Sequence, residues 1–239
     1  MSNHIDITFD FRSDTPNNKD PDTYSPMLRG YHKLLWSKPL PSGVVFELEY
    51  TTSPPYYLHH QSRMGKFVLS SDAVVPSFTR ETRCAHIIKK MPPEELDAFN
   101  SIGYTMGGMM IFPANRIDGK MTINGHRGFS ARIKDRFDLT VECIRRYYRN
   151  EPNLLSPLSD TLTRYADFFD LFGDFRGYVE FFLLQDIVTE DCSAVKFFMP
   201  FDEQFIVWPF PASIEDYKAY QRLAVEFIQA RNQRILESG

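Results

Sequence analysis

The first half of the chain carries short segments in which apolar and polar residues alternate. Alternation of this kind is typical of strands that bury one face. Prolines and glycines interrupt the segments and predict turns between them. The first half is therefore expected to be mostly β-structure. The expected strands are residues 5–11, 44–50, 56–59, 66–69, 107–112 and 120–123, of which the last four form two hairpins.

Helical periodicity dominates the second half. Residues 137–148 place their apolar side chains on one helical face. Ser159 is expected to cap a helix that ends at Gly173, and Ser213 to cap the last helix of the chain. Residues 195–199 interrupt this helical region with a strand-like pattern.

Two helices are also expected in the first half. Ser25 suits an N-cap, Pro26 suits the first helical position, and Pro93 begins a second helix with acidic residues in its first turn. Together the patterns predict an α+β fold, with a mostly β N-terminal half packed against a mostly helical C-terminal half. We expect one domain over residues 1–239, with residues 126–129 as the place where an internal division would fall.

The composition indicates that the chain can bury a large core. Of its 239 residues, 15% are aromatic and 24% are charged, which excludes an intrinsically disordered tail. A net charge of −4 excludes a polybasic binder. Three cysteines without a CxxC pair argue against a secreted disulfide scaffold.

The sequence also bears on the compartment. The N-terminus lacks the basic and apolar regions of a signal peptide. No apolar stretch approaches the roughly 20 residues that a membrane span needs. We therefore expect a cytoplasmic protein that has no membrane partner.

Three stretches carry a likeness to known sequences. They are YSPMLRGYHKLLWSKPLPSG at residues 24–43, RFDLTVECIRRYY at residues 136–148 and DFFDLFGDFRGYV at residues 167–179. Through them the chain resembles a family of uncharacterised bacterial proteins of unknown function. The resemblance implies a bacterial or phage-borne cytoplasmic protein, and it supplies no reaction, ligand or catalytic residue.

Positive charge is concentrated between residues 116 and 149. Nine basic residues lie there beside four acidic ones, interleaved with aromatic rings. Arginine forks beside aromatic rings suit phosphates and stacked bases, so a phosphate-bearing ligand is one hypothesis. The arginines expected to bind it are Arg116, Arg127, Arg136, Arg145 and Arg146.

Internal charge matching is the alternative hypothesis for these arginines. Helical spacing places Glu142 beside Arg145 and Arg146, as in ordinary surface ion pairs. Residues 160–191 carry a net charge of −6 and are a further acidic neighbour for the basic segment.

Residues 124–128 are the leading candidate site within the basic segment. Two glycines flank His126 and Arg127, which suggests a tight backbone that presents a cation beside a titratable imidazole. Asn124 is a further candidate ligand-binding residue, and His126 is a candidate catalytic residue. The alternative is a hairpin end with exposed polar residues.

His32 and Trp36 form a second candidate pair. They lie four residues apart and share one face of the expected helix, so they could stack on a ligand ring. The alternative is that Trp36 anchors the following loop to the core, which the prolines after it favour.

Asp72 and His86 are the remaining catalytic candidates, as an acid–base pair of a hydrolase. The histidines show no metal-ligand spacing, and no nucleotide-binding loop or nucleophile elbow is present. We therefore expect no metal site, and the cofactor stays unknown.

Two functions follow from these patterns. The first is a protein that binds or acts on a phosphate-bearing ligand, either a nucleotide or a nucleic acid, through the basic Arg/His segment. The alternative is a non-enzymatic protein–protein interaction module of a bacterial or phage system. Whether the protein is an enzyme stays open at this point.

Overall fold

The computed structural model describes residues 4–54, 56–62, 65–75, 81–130, 132–152, 156–202, 204 and 209–238. Its N-terminal half contains a four-stranded antiparallel sheet with the strand order β1-β2-β3-β4. The register places Glu49 opposite His59, and Ser71 opposite Ile111. The strands are β1 (Leu48–Tyr50), β2 (Leu58–Ser62), β3 (Gly65–Ala73) and β4 (Met109–Pro113).

Helices surround this sheet and make up most of the C-terminal half, so the predicted α+β fold is confirmed. None of the helices in the described part of the chain is long and apolar enough to cross a membrane. The helices are α1 (Pro21–Tyr24), α2 (Pro26–Trp36), α3 (Glu81–Ile88), α4 (Pro93–Gly103), α5 (Ile123–Phe129), α6 (Phe137–Tyr148), α7 (Ser156–Arg164), α8 (Ala166–Phe169), α9 (Phe175–Phe181) and α10 (Ile214–Ser238).

The first predicted hairpin is confirmed, whereas the prediction of an N-terminal strand is wrong. Strands β2 and β3 pair as predicted. Residues 5–11 form turns instead of a strand, because Asp6 and Asp10 accept the backbone N–H two residues on, from Thr8 at 2.9 Å and from Arg12 at 3.0 Å. Such side-chain caps compete with strand pairing.

The prediction of a second hairpin, between residues 107–112 and 120–123, is also wrong. Strand β4 pairs with β3 and not with residues 120–123. Thr122 instead caps α5, since its hydroxyl accepts the N–H of Gly125 at 3.2 Å. Residues 195–199 form no strand either, and Val195 makes only an isolated bridge with Val188.

The helix predictions succeed where local signals define both ends. Helix α6 covers the predicted segment. Ser213 caps α10 by accepting the N–H of Asp216 at 3.1 Å. The helix predicted from Ser159 divides into α7, α8 and a short 3₁₀ turn, and it ends at Gly173 with a φ of +77°.

Helices α1 and α2 pack against the sheet. Helix α1 packs on β3 and α2 packs on β1. Ser25 fixes the start of α2, because its hydroxyl accepts the N–H of Leu28 at 3.0 Å. The predicted apolar face of α2 is only partly correct, since Leu34 is exposed whereas Arg29 and His32 are buried.

Helix α10 docks on the turn that precedes β4. Arg231 donates to the carbonyl oxygens of Gly107 at 2.9 Å and Met109 at 2.7 Å. Asn232 accepts the N–H of Gly107 at 2.6 Å and donates to Thr105 at 2.8 Å. The last helix is therefore attached to the end of the sheet by polar contacts that are themselves buried.

This docking leaves no room for a side chain at residue 107. A Cβ at Gly107 would collide with the carbonyl oxygen of Ile228 and would lie 2.8 Å from the Asn232 amide. We expect Gly107→Ala to lower the free energy of unfolding by about 1–3 kcal/mol through overpacking. Urea unfolding of the two proteins measures the difference.

Gly30 supplies the matched control for this prediction. It lies inside α2, and a Cβ built there meets no heavy atom within 4 Å. Gly30→Ala should raise the free energy of unfolding by up to about 1 kcal/mol through helix propensity. Equal effects of the two substitutions would contradict the docking described for Gly107.

An aromatic cluster fills the core between α2 and α9. The ring of Phe172 lies 5.0 Å from Phe181 and 5.1 Å from Phe182, and Trp36 lies 5.3 Å from Phe182. These tilted and edge-on pairs add stability beyond the area that they bury. They also hold the segment after α2 against α9.

Candidate functional site

Four of the five candidate arginines in the basic segment lie close to carboxylates of the same fold. Arg127 is only 1% exposed. Its guanidinium pairs with Asp72, lies 3.7 Å from Asp135 and donates to Thr140 at 2.8 Å. It thereby ties β3, α5 and α6 together.

Three more of the candidate arginines also pair with carboxylates, and the fifth does not in the part of the chain that the structure describes. Arg136 is buried and pairs with Asp138 at 2.5 Å. Arg145 contacts Glu142 at 2.8 Å and Glu151 at 2.7 Å. Arg146 contacts Glu142 at 2.6 Å, whereas Arg116 is exposed.

These contacts are of the kind that internal charge matching predicts. The carboxylates lie within α6, in the residues beside it and on β3. Glu142 pairs with Arg145 and Arg146, as helical spacing predicts. Among the described residues, the ion pairs of these arginines include no carboxylate of the further acidic neighbour, residues 160–191. A ligand-binding role for these arginines stays a prediction.

Residues 124–128 form part of a helix rather than a tight loop. His126 is half-buried and contacts the hydroxyl of Thr161 through Nδ1. Partial burial and the nearby Arg164 lower the pKa of His126. Asn124 donates to the Ser70 hydroxyl at 2.9 Å, so this segment contacts the sheet and α7.

Asp72 and His86 occupy different environments. His86 is exposed on α3, whereas Asp72 lies on β3 and pairs with Arg127. Burial raises the pKa of Asp72 to about 6, against the opposing effect of Arg127. Within the described ranges, no group of three or more His, Cys, Asp or Glu side chains could hold a metal ion.

His32 and Trp36 are both completely buried. The indole N–H of Trp36 donates to Nδ1 of His32 at 3.0 Å, and Nε2 of His32 lies 2.9 Å from the hydroxyl of Ser71. Trp36 packs against Phe182 in the core. This is the position expected if Trp36 anchors the following loop to the core.

The hydrogen bonds assign the tautomer of His32. Nδ1 accepts from Trp36, so Nε2 carries the proton and donates to Ser71. Burial and the charge of Arg231 lower the pKa of His32 to about 3, so the ring is neutral at physiological pH. A serine nucleophile needs a lone pair on the nitrogen beside it, and Nε2 has none to offer.

A cavity of about 240 Å³ lies beside Ser71, between α1, the start of α2, and strands β2 and β3. We call it the Arg29 cavity, since Arg29 is the cation in its wall. Aromatic and hydroxyl side chains form most of the rest. The lining residues are Asp22, Thr23, Tyr24, Arg29, Pro54, Tyr56, Tyr57, Leu58, Val68, Leu69, Ser70, Ser71 and Ala114.

Arg29 is 6% exposed, and no carboxylate of the described chain lies within 4 Å of its guanidinium. One guanidinium nitrogen donates to the Thr23 carbonyl oxygen at 2.8 Å, and the group stacks on Tyr56 at 4.3 Å. Its buried Nε has no hydrogen-bond partner among the residues that the structure describes. Burial lowers the pKa of Arg29.

Comparison with known proteins gives a family for the chain. The model of a family of unknown function, DUF6994, matches residues 5–235. The chain belongs to this DUF6994 family. No curated protein and no solved structure shows significant similarity to it.

Sequence reasoning did not find Arg29 in this DUF6994 protein, although a signal was present. Arg29, His32 and Trp36 follow one another at spacings of three and four, which places them on one helical face. The apolar pattern placed the core side of α2 at Leu28, Tyr31, Leu34 and Leu35. The polar stripe beside it contains the cation of the cavity.

Proposed function

We propose that the protein binds a small phosphate-bearing ligand, a phosphate with one ring system attached, in the Arg29 cavity. The observation that carries the proposal is the buried guanidinium of Arg29, which has no carboxylate within 4 Å in the described chain and feels the charge of Asp14 only from a greater distance. Burying a charge without a partner is costly. An anion that accepts a hydrogen bond from Nε would remove this cost.

Ser71 and two tyrosines of the lining support a phosphate with an attached ring, whereas the Asp22 carboxylate in the same wall opposes an anion. Because the Ser71 hydroxyl accepts from His32, its own hydrogen is available to a ligand oxygen. Tyr24 and Tyr56 meet edge to face at 5.7 Å in the wall, and aromatic side chains of this kind stack on bases. At about 240 Å³, the cavity is slightly smaller than the roughly 300–1,000 Å³ of drug-sized ligand sites.

The neutral His32 favours binding over hydrolysis at this cavity. Its Nε2 donates to Ser71, so it cannot remove the proton of that hydroxyl. We therefore propose a binding protein or sensor rather than an acyl-transfer enzyme. Buried thiols without disulfides at Cys84, Cys143 and Cys192 support the expected cytoplasmic location.

Isothermal titration with adenosine monophosphate, and with adenosine as the control without phosphate, tests the proposal. We expect monophosphate binding that Arg29→Met weakens by at least about tenfold, since a hydrogen bond to a charged group contributes about 1.5–3 kcal/mol. Adenosine should bind weakly to both proteins. Added salt should weaken monophosphate binding.

Stability measurements separate a binding role of Arg29 from a structural one. Removing a buried charge that has no carboxylate within 4 Å in the described chain should leave the stability of the ligand-free protein within about 1 kcal/mol of the wild type, because the desolvation cost that is relieved offsets the lost hydrogen bond to Thr23. The matched control is Arg127→Met, which leaves the partners of a buried ion pair behind and should destabilise the fold.

Two results would overturn this assignment. If Arg116→Gln and Arg146→Gln abolish binding and Arg29→Met does not, the ligand lies in the basic segment. If no phosphate-bearing probe binds, the interaction-module alternative becomes the leading function. The exposed ring of Phe129 at the end of α5 would then be the first place to examine.

A further inference from the structure

A second cavity lies beside the segment that follows α2. It has a volume of about 660 Å³ and is formed by this segment, by the turn before α9 and by α9 itself. Lys38, Asp174 and Glu180 are among its lining residues, with Pro41 and Phe181 as apolar walls. The described residues that line the Arg29 cavity do not include any of these five.

The backbone of Lys38 is anchored by hydrogen bonds on both sides at this cavity. Its backbone N–H donates to the Trp36 carbonyl oxygen at 2.8 Å, and its carbonyl oxygen accepts the N–H of Phe46 at 2.9 Å. The side-chain nitrogen lies 5.0 Å from the ring centre of Trp36 and 4.9 Å from that of Phe181. The amine thus lies against both rings, which stack on each other with their centres 6.0 Å apart.

The side chain of Lys38 differs from that of its neighbour Lys33. The Lys33 ammonium contacts both carboxylate oxygens of Glu49 at 2.7 Å. The Lys38 nitrogen has neither a hydrogen bond nor a carboxylate within 4 Å in the described chain. Burial, and the positive charge of Arg231, which also contacts the Trp36 ring, lower the pKa of Lys38 to about 8.

We infer that Lys38 is the nucleophile of a second site, which takes a small aldehyde or ketone and binds it as an imine. A lysine amine that is desolvated against apolar side chains and has no ion-pair partner in the described chain is of the kind that forms imines with carbonyl compounds. Two carboxyl groups of the same wall would carry protons. Asp174 also caps α9 by accepting the N–H of Gly177 at 2.8 Å, and Glu180 lies 4.0 Å from Arg176, which lines the cavity too.

The reaction needs no oxidant or reductant. The neutral nitrogen of Lys38 attacks the carbonyl carbon, a C–N bond forms, and the electron pair of the C=O π bond moves to oxygen. A proton passes from nitrogen to that oxygen. The resulting carbinolamine loses its hydroxyl group, with one more proton, as water, and the C=N bond of the imine forms.

Trapping with salicylaldehyde and cyanoborohydride tests the inference on the full chain, with peptide mass spectrometry to locate the adducts. At pH 8 we expect Lys38 to be labelled about tenfold or more faster than Lys33. A pKa of about 8 gives the Lys38 amine a larger neutral fraction than a lysine with the ordinary pKa has. Peptide mapping separates this adduct from that of the N-terminal amine. Lys38→Arg should remove the adduct, and Lys33→Arg should leave it.

The concentration dependence decides whether the cavity itself binds the carbonyl compound. The rate at Lys38 should saturate as the aldehyde concentration rises, whereas the rate at Lys33 should rise linearly. Labelling of Lys38 no faster than Lys33, or a linear rate at Lys38, would overturn the inference. Both readouts use the wild-type protein, so they hold even if Lys38→Arg folds poorly.

Discussion

Asp138→Ala should lower the free energy of unfolding by about 3–5 kcal/mol, because it breaks a buried ion pair. Asp138 is completely buried and accepts from Arg136 at 2.5 and 3.0 Å. It also accepts the backbone N–H of Phe198 at 2.8 Å. The substitution leaves both a buried cation and a buried N–H group unpaired, and denaturant unfolding measures the loss.

Two further variants identify the cause of that loss. The double variant Arg136→Met with Asp138→Leu removes both charges and should recover much of the stability. The exposed pair of Arg222 and Glu226, at 3.2 Å, is the matched surface control. Glu226→Ala should change the free energy of unfolding by about 0.5 kcal/mol or less. A similarly small change for Asp138→Ala would refute the role given to this pair.

Elements with local start and stop signals could be predicted from the sequence. Ser25 and Ser213 cap their helices as expected, and α6 follows its periodicity. The turns near residues 5–11 could not be predicted, because apolar and polar residues alternate there as they do in a strand. Two aspartate side chains decide that segment, through hydrogen bonds that a periodicity argument does not contain.

The candidate site depends on contacts that are distant in sequence. Arg127 meets Asp72 from 55 residues away, so composition within the basic segment could not reveal that pair. For Arg29, what matters is the absence of such a carboxylate in the described chain, and no local pattern encodes an absence. Asn124, by contrast, lies in the predicted segment and contacts Ser70 in the cavity wall.

Helix α2 connects the two proposed sites. Ser71, which lines the Arg29 cavity, bonds to His32, and His32 bonds to Trp36. Trp36 ends this chain of contacts, and its ring lies 5.0 Å from the Lys38 nitrogen at the second site. His32 can maintain both of its bonds only as the neutral tautomer, because protonation of Nδ1 removes the acceptor that Trp36 needs.

Acid should therefore destabilise the protein through His32. Its folded-state pKa is about 3, whereas an unfolded histidine has a pKa of about 6.5. Below pH 6.5 the unfolded state binds a proton at this histidine and the folded state does not, so the free energy of unfolding falls as the pH falls. The loss from this residue should reach about 2.5 kcal/mol between pH 7 and pH 4.5.

Urea unfolding across this pH range, with two histidine variants, isolates the contribution. His32→Gln keeps an amide acceptor and donor but has no titrating ring, so its stability should depend less steeply on pH. His86→Gln, on the exposed face of α3, should retain the wild-type slope. Parallel pH profiles for the wild type and His32→Gln would show that His32 is not the acid-sensitive group. A flatter profile for His32→Gln alone would assign the acid sensitivity to the contacts among Ser71, His32 and Trp36.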